Sequence, residues 1–201
     1  MSRPPSFDRT EKVKEAMHLF REQGYEATSV QDLVDHLGLN RSSLYNAFGG
    51  KHDLYLEALD YCRRAEREAL SEHLHEAPTA MAGIRHAFEA VVEQVTSDPC
   101  GCLTTNATVE CATSDPSTQE RACQTLSAMQ SLFRETVERA QEEGAIDPSR
   151  DAEALGHYLT NAYNGLYLTA KTCPSADVLR DIVSETLRGL RTSPQTHRER
   201  A

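Results

Sequence analysis

The sequence predicts an all-α fold of about nine helices. Apolar residues recur at i, i+3, i+4 and i+7 along most of the 201 residues, which is the spacing of one helix face. Glycine, proline and capping residues separate these apolar stripes, as they do at helix ends. No segment sustains the apolar–polar alternation of a strand. These three observations favour a helical protein over an α/β or all-β one.

The first part of the chain predicts three short helices. Their apolar residues are Val13, Ala16, Met17 and Phe20, then Val30, Leu33, Val34 and Leu37, then Leu44 and Phe48. Gly24 and Gly38 follow the first two stripes as stop signals. Thr28 with Gln31 offers a capping box for the second helix, and Asn40 is the predicted N-cap of the third.

Six more helices are predicted beyond these three. Their apolar residues are Leu54, Ala58, Leu59 and Cys62; Ile84, Phe88, Val91, Val92 and Val95; Leu126, Met129, Phe133 and Val137; Leu155, Leu159, Ala162 and Leu166; and Leu179, Ile182, Val183 and Leu190, with the short segment "CLTTNATVECA" between the second and third sets. The first of these helices begins at His52 and runs for about 20 residues. Asp115–Pro116, Asp147–Pro148 and Pro174 mark predicted helix starts.

Charge is unevenly distributed along the chain. The net charge is −10, but residues 1–51 carry equal numbers of basic and acidic side chains, so the rest of the chain holds the whole excess. An acidic body repels phosphate, which argues against non-specific coating of nucleic acid. It leaves room for a small, focused DNA-reading module in the neutral N-terminal part.

The turn "HLGLN" (36–40) joins two short predicted helices, which is a helix-turn-helix signature. Leu44 and Phe48 would anchor the second helix. Its polar residues suit base edges and phosphates, and they are Arg41, Ser42, Ser43, Tyr45 and Asn46. Lys51 is placed to meet a phosphate. On spacing alone, a polar surface turn in a helical bundle remains an equal alternative.

A family resemblance favours DNA binding. The run "FREQGYEATSVQDLVDHLGLNRSSLYNAFGGKHDLYLEAL" (20–59) resembles the N-terminal domain of the TetR family of transcriptional regulators, through the "F…G" close of helix one, "TSV", the glycine turn and "LY..F..K..L". The resemblance implies DNA contacts by Thr28, Arg41, Ser43, Tyr45, Asn46 and Lys51. Ser42 departs from the pattern, because many family members have glycine there.

The resemblance also implies the domain organisation. We expect a DNA-binding domain over 1–51 and an effector-binding and dimerisation domain over 52–192, with the helix from residue 52 connecting them. A disordered tail is expected over 193–201. The helices at about 148–191 would pair two copies, so that a homodimer grips a palindromic operator of double-stranded DNA. A small-molecule effector would release this repressor.

The sequence indicates the effector site less clearly than the DNA-binding residues. "GCLTTNATVECA" (101–112) resembles a "GCL..N.A.E" segment of one TetR subgroup. Asn106 and Glu110 lie one turn apart, so they share a face that a ligand or a neighbouring loop could satisfy. Other candidate pocket residues, for which core packing is the alternative, are Phe88, Met129, Phe133, Tyr158, Asn161 and Tyr163.

Cysteines offer an alternative signal. Cys100 and Cys102 lie in the turn "DPCGC" before a predicted helix, whose N-terminus would lower the pKa of the Cys102 thiol. Cys111 and Cys123 flank the next turn. These four thiols could sense oxidants or electrophiles, although inert packing is the usual role of an intracellular cysteine. No metal site is expected, because C-x-C lacks the usual zinc spacing and has no nearby histidine.

Other classes of function have little support. We expect no enzyme and no cofactor, because the sequence has no Ser-His-Asp order, glycine-rich phosphate loop or paired catalytic carboxylates. A helical adaptor without DNA binding is a remote alternative. No apolar run reaches membrane-spanning length and the N-terminus has no apolar signal segment, so a cytoplasmic protein without membrane partners is expected.

Overall fold

The computed structural model describes residues 7–98, 100–172 and 175–191, which form nine α-helices and no strand. The helices are α1 (Arg9–Gln23), α2 (Val30–Leu37), α3 (Arg41–Phe48), α4 (Lys51–Glu76), α5 (Ala80–Ser97), α6 (Leu103–Glu110), α7 (Pro116–Glu142), α8 (Ala152–Thr172) and α9 (Ala176–Leu190). The predicted fold class is therefore confirmed. The expected tail over 193–201, Pro174 and Cys173 lie outside the described residues.

Helix α3 is positioned by its cap and by two buried side chains. The Asn40 side chain accepts a hydrogen bond from the Ser43 N–H at 2.8 Å, as predicted. Gly38 ends α2 in the left-handed conformation, with φ +62, so the chain can turn sharply into α3. Leu44 and Phe48 are buried beneath α3. The polar side of α3 is thereby directed away from the protein.

Two apolar cores lie along the molecule, and α4 contributes to both. The N-terminal core contains the apolar faces of α1–α3, the first half of α4, and Leu103, Ala107 and Cys111 from α6. The larger core contains Leu70 and Leu74 of α4 with the faces of α5, α7, α8 and α9. A single helix of 26 residues thus joins the two bodies, and α6 packs against the N-terminal one.

The larger body depends on a close approach of helices. A Cβ at Gly156 of α8 would lie 3.0 Å from the Gln130 carbonyl oxygen of α7. A Cβ at Gly83 of α5 would lie 2.7 Å from the Leu74 carbonyl oxygen of α4. Glycine lets these backbones pack at distances that a side chain would prevent. None of the described helices combines the length and apolarity needed to cross a membrane.

Three local predictions are corrected by the structure. Ser29 with Asp32, not Thr28 with Gln31, forms the capping box of α2, because Thr28 is buried. Helix α4 begins at Lys51 and continues to Glu76, well past the predicted length, because its second half is buried in the larger core.

The third correction concerns the start of α8. Helix α8 begins at Ala152, not at Asp147–Pro148. Asp147 caps a turn by accepting from the Ser149 N–H, and the Gln141 amide holds that turn by donating to the carbonyls of Asp147 and Arg150. The Asp151 carboxylate accepts from the first N–H groups of α8 instead.

Candidate nucleic-acid interface and regulatory sites

The exposed face of α3 gathers most of the predicted DNA contacts. Arg41, Ser42 and Asn46 are exposed, and the ring of Tyr45 is 47% exposed. Ser43 is half-buried, and its backbone N–H is used by the cap. These side chains form one continuous polar face, which we call the α3 face.

Thr28 lies apart from the α3 face. It is fully buried, and its hydroxyl donates to the Gly24 carbonyl at 2.6 Å. Its side chain holds the turn between α1 and α2 in this structure. A contact between Thr28 and DNA stays a prediction.

Lys51 is held by an aromatic cluster at the start of α4. Its Nζ lies 4.2 Å from the centroid of the Tyr25 ring, which packs 4.4 Å from the Tyr55 ring. The Tyr55 hydroxyl contacts Cys111 Sγ at 3.7 Å, and burial raises the pKa of Tyr55 above its ordinary range. A chain of contacts therefore runs from a predicted phosphate contact to the end of α6.

Helix α6 grips the N-terminal body by polar contacts as well. The carboxylate of Glu110 accepts from the backbone N–H groups of Tyr25 (3.2 Å) and Glu26 (2.8 Å). The Asn106 amide donates to the Arg21 and Cys100 carbonyls and accepts from Lys171 Nζ of α8 at 2.8 Å. Asn106 and Glu110 therefore both have protein partners where α6 meets the N-terminal body. Their contact with a ligand stays a prediction.

The other predicted effector residues fall into two groups. Phe88, Phe133 and Tyr163 form an edge-to-face cluster deep in the larger core, with ring centroids 5.7 to 6.0 Å apart. Tyr158 and Asn161 are exposed on α8. The structure therefore does not bring all the predicted effector residues together.

Two pockets lie on opposite sides of α7. One pocket of 340 Å³ between α4 and α7 is lined by Arg63, Arg64, Glu66, Arg67, Gln124, Thr125, Ala128 and Met129. The other, of 260 Å³, lies among α6, α7 and α8. Its polar walls are mainly hydroxyls and amides, including Thr105, Asn161 and Asn164, with the imidazole of His157, and its lining carries no Asp, Glu, Lys or Arg. We call them the α4–α7 pocket and the α6–α8 pocket.

The predicted cysteines differ in their surroundings. Cys123 is exposed, Cys100 is half-buried, and Cys102 and Cys111 are buried. Cys102 is the N-cap of α6, where its sulfur accepts from the Thr105 N–H at 3.4 Å. The expected helix N-terminus at Cys102 is thus present. All of these cysteines, together with Cys62, are free thiols.

Sequence reasoning missed a cluster of two thiols and a carboxyl group. Cys62 Sγ and Cys102 Sγ both contact Oε1 of Glu66, at 3.1 and 2.6 Å. Cys62 and Glu66 are one turn apart on α4, which the sequence could have signalled. Cys102 lies far along the chain, so only the fold brings it to them. Among the described residues, no group of His, Cys, Asp or Glu is arranged to hold a metal ion.

The three groups of this cluster titrate together. Burial raises the pKa of the Glu66 carboxyl well above its usual range. Hydrogen bonding to Cys62, joined by that to Glu66 and the Thr105 N–H, lowers the pKa of the Cys102 thiol to about 5. The same contact with Cys102, then burial, raises the pKa of Cys62. The three groups therefore share their protons, and these hydrogen bonds together with the N-terminus of α6 favour a thiolate at Cys102.

Comparisons with known proteins agree with this arrangement. Residues 13–58 match "Bacterial regulatory proteins, tetR family", and residues 80–186 match "Tetracyclin repressor-like, C-terminal domain". YezE of Bacillus subtilis (strain 168), an uncharacterized HTH-type transcriptional regulator, is 31% identical over 93% of this chain and 98% of its own. The HTH-type transcriptional repressor ComR of Escherichia coli (strain K12) is 31% identical over 92% of this chain and 90% of its own.

A solved structure extends the similarity to a DNA complex. A cysteine mutant of the TetR family regulator CifR, bound to 26-bp double-stranded operator DNA, superimposes with a TM-score of 0.84. It is 28% identical and covers 94% of this chain and 100% of the CifR chain.

The α3 face on a helix-turn-helix, joined by α4 to a helical body, defines a DNA-binding transcriptional regulator. The matches over both bodies make the assignment narrower, and the chain belongs to the TetR family of transcriptional regulators.

Proposed function

We propose that this chain is a repressor that binds a palindromic operator as a homodimer and leaves it when a small molecule binds. The observation that carries the proposal is the α3 face, in which polar side chains and an exposed Tyr45 are backed by buried Leu44 and Phe48. Arg41, Ser42 and Asn46 would meet base edges and phosphates in the major groove.

The proposal of a homodimer is supported by the outer faces of α8 and α9. Tyr158, Leu168 and Val178 are 47%, 44% and 41% exposed, respectively, which leaves apolar surface without an intramolecular partner. Gly165 of α8 and Gly189 of α9 have no atom within 4 Å of an added Cβ. A glycine inside a helix costs about 1 kcal/mol relative to alanine, and close packing of a second copy would offset that cost. Two DNA-binding domains, one on each half-site of the operator, would then bind it specifically.

The α6 junction supports a way for a ligand to control the reader. Glu110 bonds the turn after α1 and Asn106 bonds the last turn of α1 itself, and the same helix α6 forms one wall of the α6–α8 pocket. A ligand that moves α6 would therefore move the N-terminal body. A coupling free energy of about 1–3 kcal/mol suffices for a 5–150-fold change in operator affinity.

The lining of the α6–α8 pocket favours an uncharged effector. Hydroxyl and amide groups would bond a neutral polar ligand, while Val109 and Leu126 would cover its apolar part. A charged ligand would enter without an opposite charge, which is unfavourable. Asn161 lines this pocket, which fits its predicted contact with an effector. Phe88, Phe133 and Tyr163 do not line it and would affect effector binding only through the packing of the core behind it.

A thiol-responsive repressor is the second candidate function. The observation that favours it is the position of Cys102 at the N-cap of α6, the same helix that contacts the N-terminal body, where hydrogen bonds lower the pKa of its thiol. Of the four predicted cysteines, Cys100 and Cys123 are the more accessible and Cys111 is the one that contacts Tyr55.

Fluorescence anisotropy with DNA from upstream of the protein's own gene tests the proposal. The reduced protein is titrated onto that DNA and onto a scrambled duplex, and then onto the operator in the presence of neutral metabolites. We expect saturable binding to the upstream DNA alone and at least fivefold weakening by an effector. Equal affinity for both duplexes at every salt concentration would refute operator recognition.

A further inference from the structure

The cluster of Cys62, Glu66 and Cys102 is unusual for the interior of a helical protein. Both sulfurs reach the same oxygen atom, Glu66 Oε1, at 3.1 and 2.6 Å. In the described part of the chain, Glu66 forms no ion pair with a Lys or Arg side chain. Glu66 is half-buried, and removing a carboxyl group from water without a cation beside it is costly. The arrangement therefore calls for a chemical reason.

The surroundings of the cluster favour a thiolate at Cys102 and give a small oxidant access to it. The sulfur of Cys102 accepts from the first turn of α6 through the Thr105 N–H, and helix N-termini stabilise thiolates. Tyr163 and Tyr167 face the cluster from α8 as neutral phenols, because burial raises the pKa of both. Glu66 also lines the α4–α7 pocket, which gives a small oxidant a route from the surface.

We propose that Cys62 and Cys102 form a two-thiol redox site, in which a hydroperoxide converts the pair into a disulfide linking α4 to the start of α6. The site includes Cys62, which the sequence did not single out, and it excludes Cys100, Cys111 and Cys123. It rests on the proposed repressor function only for its effect on the operator, not for the chemistry.

The reaction balances within the cluster. The Cys102 thiolate attacks the O–O bond of the hydroperoxide, so one oxygen joins the sulfur as a sulfenic acid, and the other takes the Glu66 proton and leaves as an alcohol or water, which leaves Glu66 as a carboxylate. The Cys62 sulfur then attacks the sulfenic sulfur, an S–S bond forms and the S–O bond breaks. Glu66 lies between the two thiols and passes the Cys62 proton to the departing oxygen, which leaves as water. Two thiols and one hydroperoxide yield one disulfide, one alcohol and one water.

Disulfide formation would alter the regulator through α6. An S–S bond is about 2.05 Å long, so each sulfur must leave its position beside Glu66 Oε1. The start of α6 is thereby drawn toward α4, and the other end of α6 holds the Tyr25 turn through Glu110. We expect oxidation to weaken operator binding about tenfold, within the usual range of allosteric coupling.

Peptide mapping of the full-length protein after hydrogen peroxide tests the site directly. Trypsin releases Cys62 in the peptide 52–63 and Cys102 in the peptide 86–121, which also carries Cys100 and Cys111. We expect a dithiothreitol-sensitive link between these peptides, assigned to Cys102 by fragmentation. Cys62→Ser should stop at a sulfenic acid that dimedone traps on Cys102, Cys102→Ser should form neither product, and Cys123→Ser should behave as the wild type.

Operator anisotropy on the same samples tests the regulatory effect. Loss of affinity on oxidation and recovery in dithiothreitol should disappear in Cys62→Ser. A map without the Cys62–Cys102 link while other cysteines react, or a Cys62→Ser variant that still responds reversibly, overturns the proposal. A linked protein that binds DNA as tightly as the reduced one overturns its regulatory part. A reduced protein that binds no operator contradicts the proposed function instead, and the map still decides the chemistry.

Discussion

At the scale of single residues, the predicted DNA contacts divide by how they are held. Tyr45 projects from a buried base at Leu44 and Phe48, so its ring is free to meet DNA. Lys51 has its ammonium over the Tyr25 ring, so its position depends on a turn that α6 also grips. The predicted DNA contact of Tyr45 therefore depends on α3 alone, whereas that of Lys51 also depends on the turn that α6 holds.

Tyr45→Ala should abolish specific operator binding without unfolding the protein. The ring is solvent-exposed, so its loss removes DNA contact area but little of the core. Anisotropy measures affinity, and thermal unfolding checks that Tm is unchanged. Tyr61→Ala on α4, outside the α3 face, is the control for operator affinity; its side chain is half-buried against the N-terminal core, so its Tm should fall while its affinity stays unchanged. An unchanged operator affinity in Tyr45→Ala would remove this residue from the interface.

Lys51→Ala should weaken binding to every DNA sequence alike. A lysine–phosphate contact releases counterions, so its loss lowers the slope of log affinity against log salt by about one per contact, or about two per dimer. The measurement is a salt titration on operator and scrambled DNA. Lys14→Ala, whose ammonium pairs with Glu11, is the control and should leave the slope unchanged. A loss confined to one base position contradicts the phosphate assignment.

At the scale of elements, capping side chains decide where helices begin, and α7 shows this most clearly. Asp115 accepts from the Ser117 and Thr118 N–H groups, and Pro116 occupies the first turn. The Asp115 carboxylate also lies 3.7 Å from His52 Nε2 of α4. The cap therefore fixes both the start of α7 and its position beside the connecting helix.

Asp115→Ala should lower the free energy of unfolding by about 1 kcal/mol, the usual value of an N-cap. Asp115→Asn keeps the cap and should lose much less. The hydrogen bond from Thr118 lowers the pKa of Asp115 in the folded state, so its contribution is present above the unfolded pKa and is lost as the pH falls through the lowered value.

Urea unfolding of the three proteins at neutral and acid pH measures this effect. The difference between wild type and Asp115→Ala should shrink below about pH 3.8, the ordinary aspartate value. A difference that stays constant down to pH 2 would mean that the charge contributes nothing to the cap.

At the scale of the whole molecule, α4 connects the N-terminal core to the larger core, and α6 packs against the N-terminal core. The N-terminal core includes residues from α6, so the reader does not move independently of the regulatory body. Arg21 of α1 also pairs with Asp98 after α5, and Arg9 of α1 with Glu57 of α4. We therefore expect a displacement of α6 to move the N-terminal helices as well.

Leu168→Glu with Val178→Glu should convert the protein to a monomer and remove specific DNA binding. Burying two unpaired carboxylates against a second copy would cost several kcal/mol, more than a modest interface supplies. Sedimentation velocity measures the oligomeric state. Ala69→Glu, at an exposed position of α4, adds charge outside these faces and should stay dimeric. A double variant that remains a dimer would place the interface elsewhere.

Local chemistry explains what could be predicted from the sequence. The period of the apolar residues identified most of the helices, although the short segment that forms α6 shows no such period. Asn40, Gly38 and Asp115–Pro116 marked boundaries that the structure confirms. Thr28 and Ser29 are both good caps, and only the burial of Thr28 in the fold left Ser29 as the cap. A helix boundary with two eligible caps is decided by packing.

The sequence by itself determined the helices, the polar α3 face and the family, because these depend on neighbouring residues and on a contiguous motif. The tertiary structure alone decided that Glu110 bonds the turn after α1, that Asn106 bonds the end of α1, and that Cys62, Glu66 and Cys102 meet. These contacts join residues far apart in the chain, so no local periodicity encodes them. They follow from how α4 and α6 pack around a shared core.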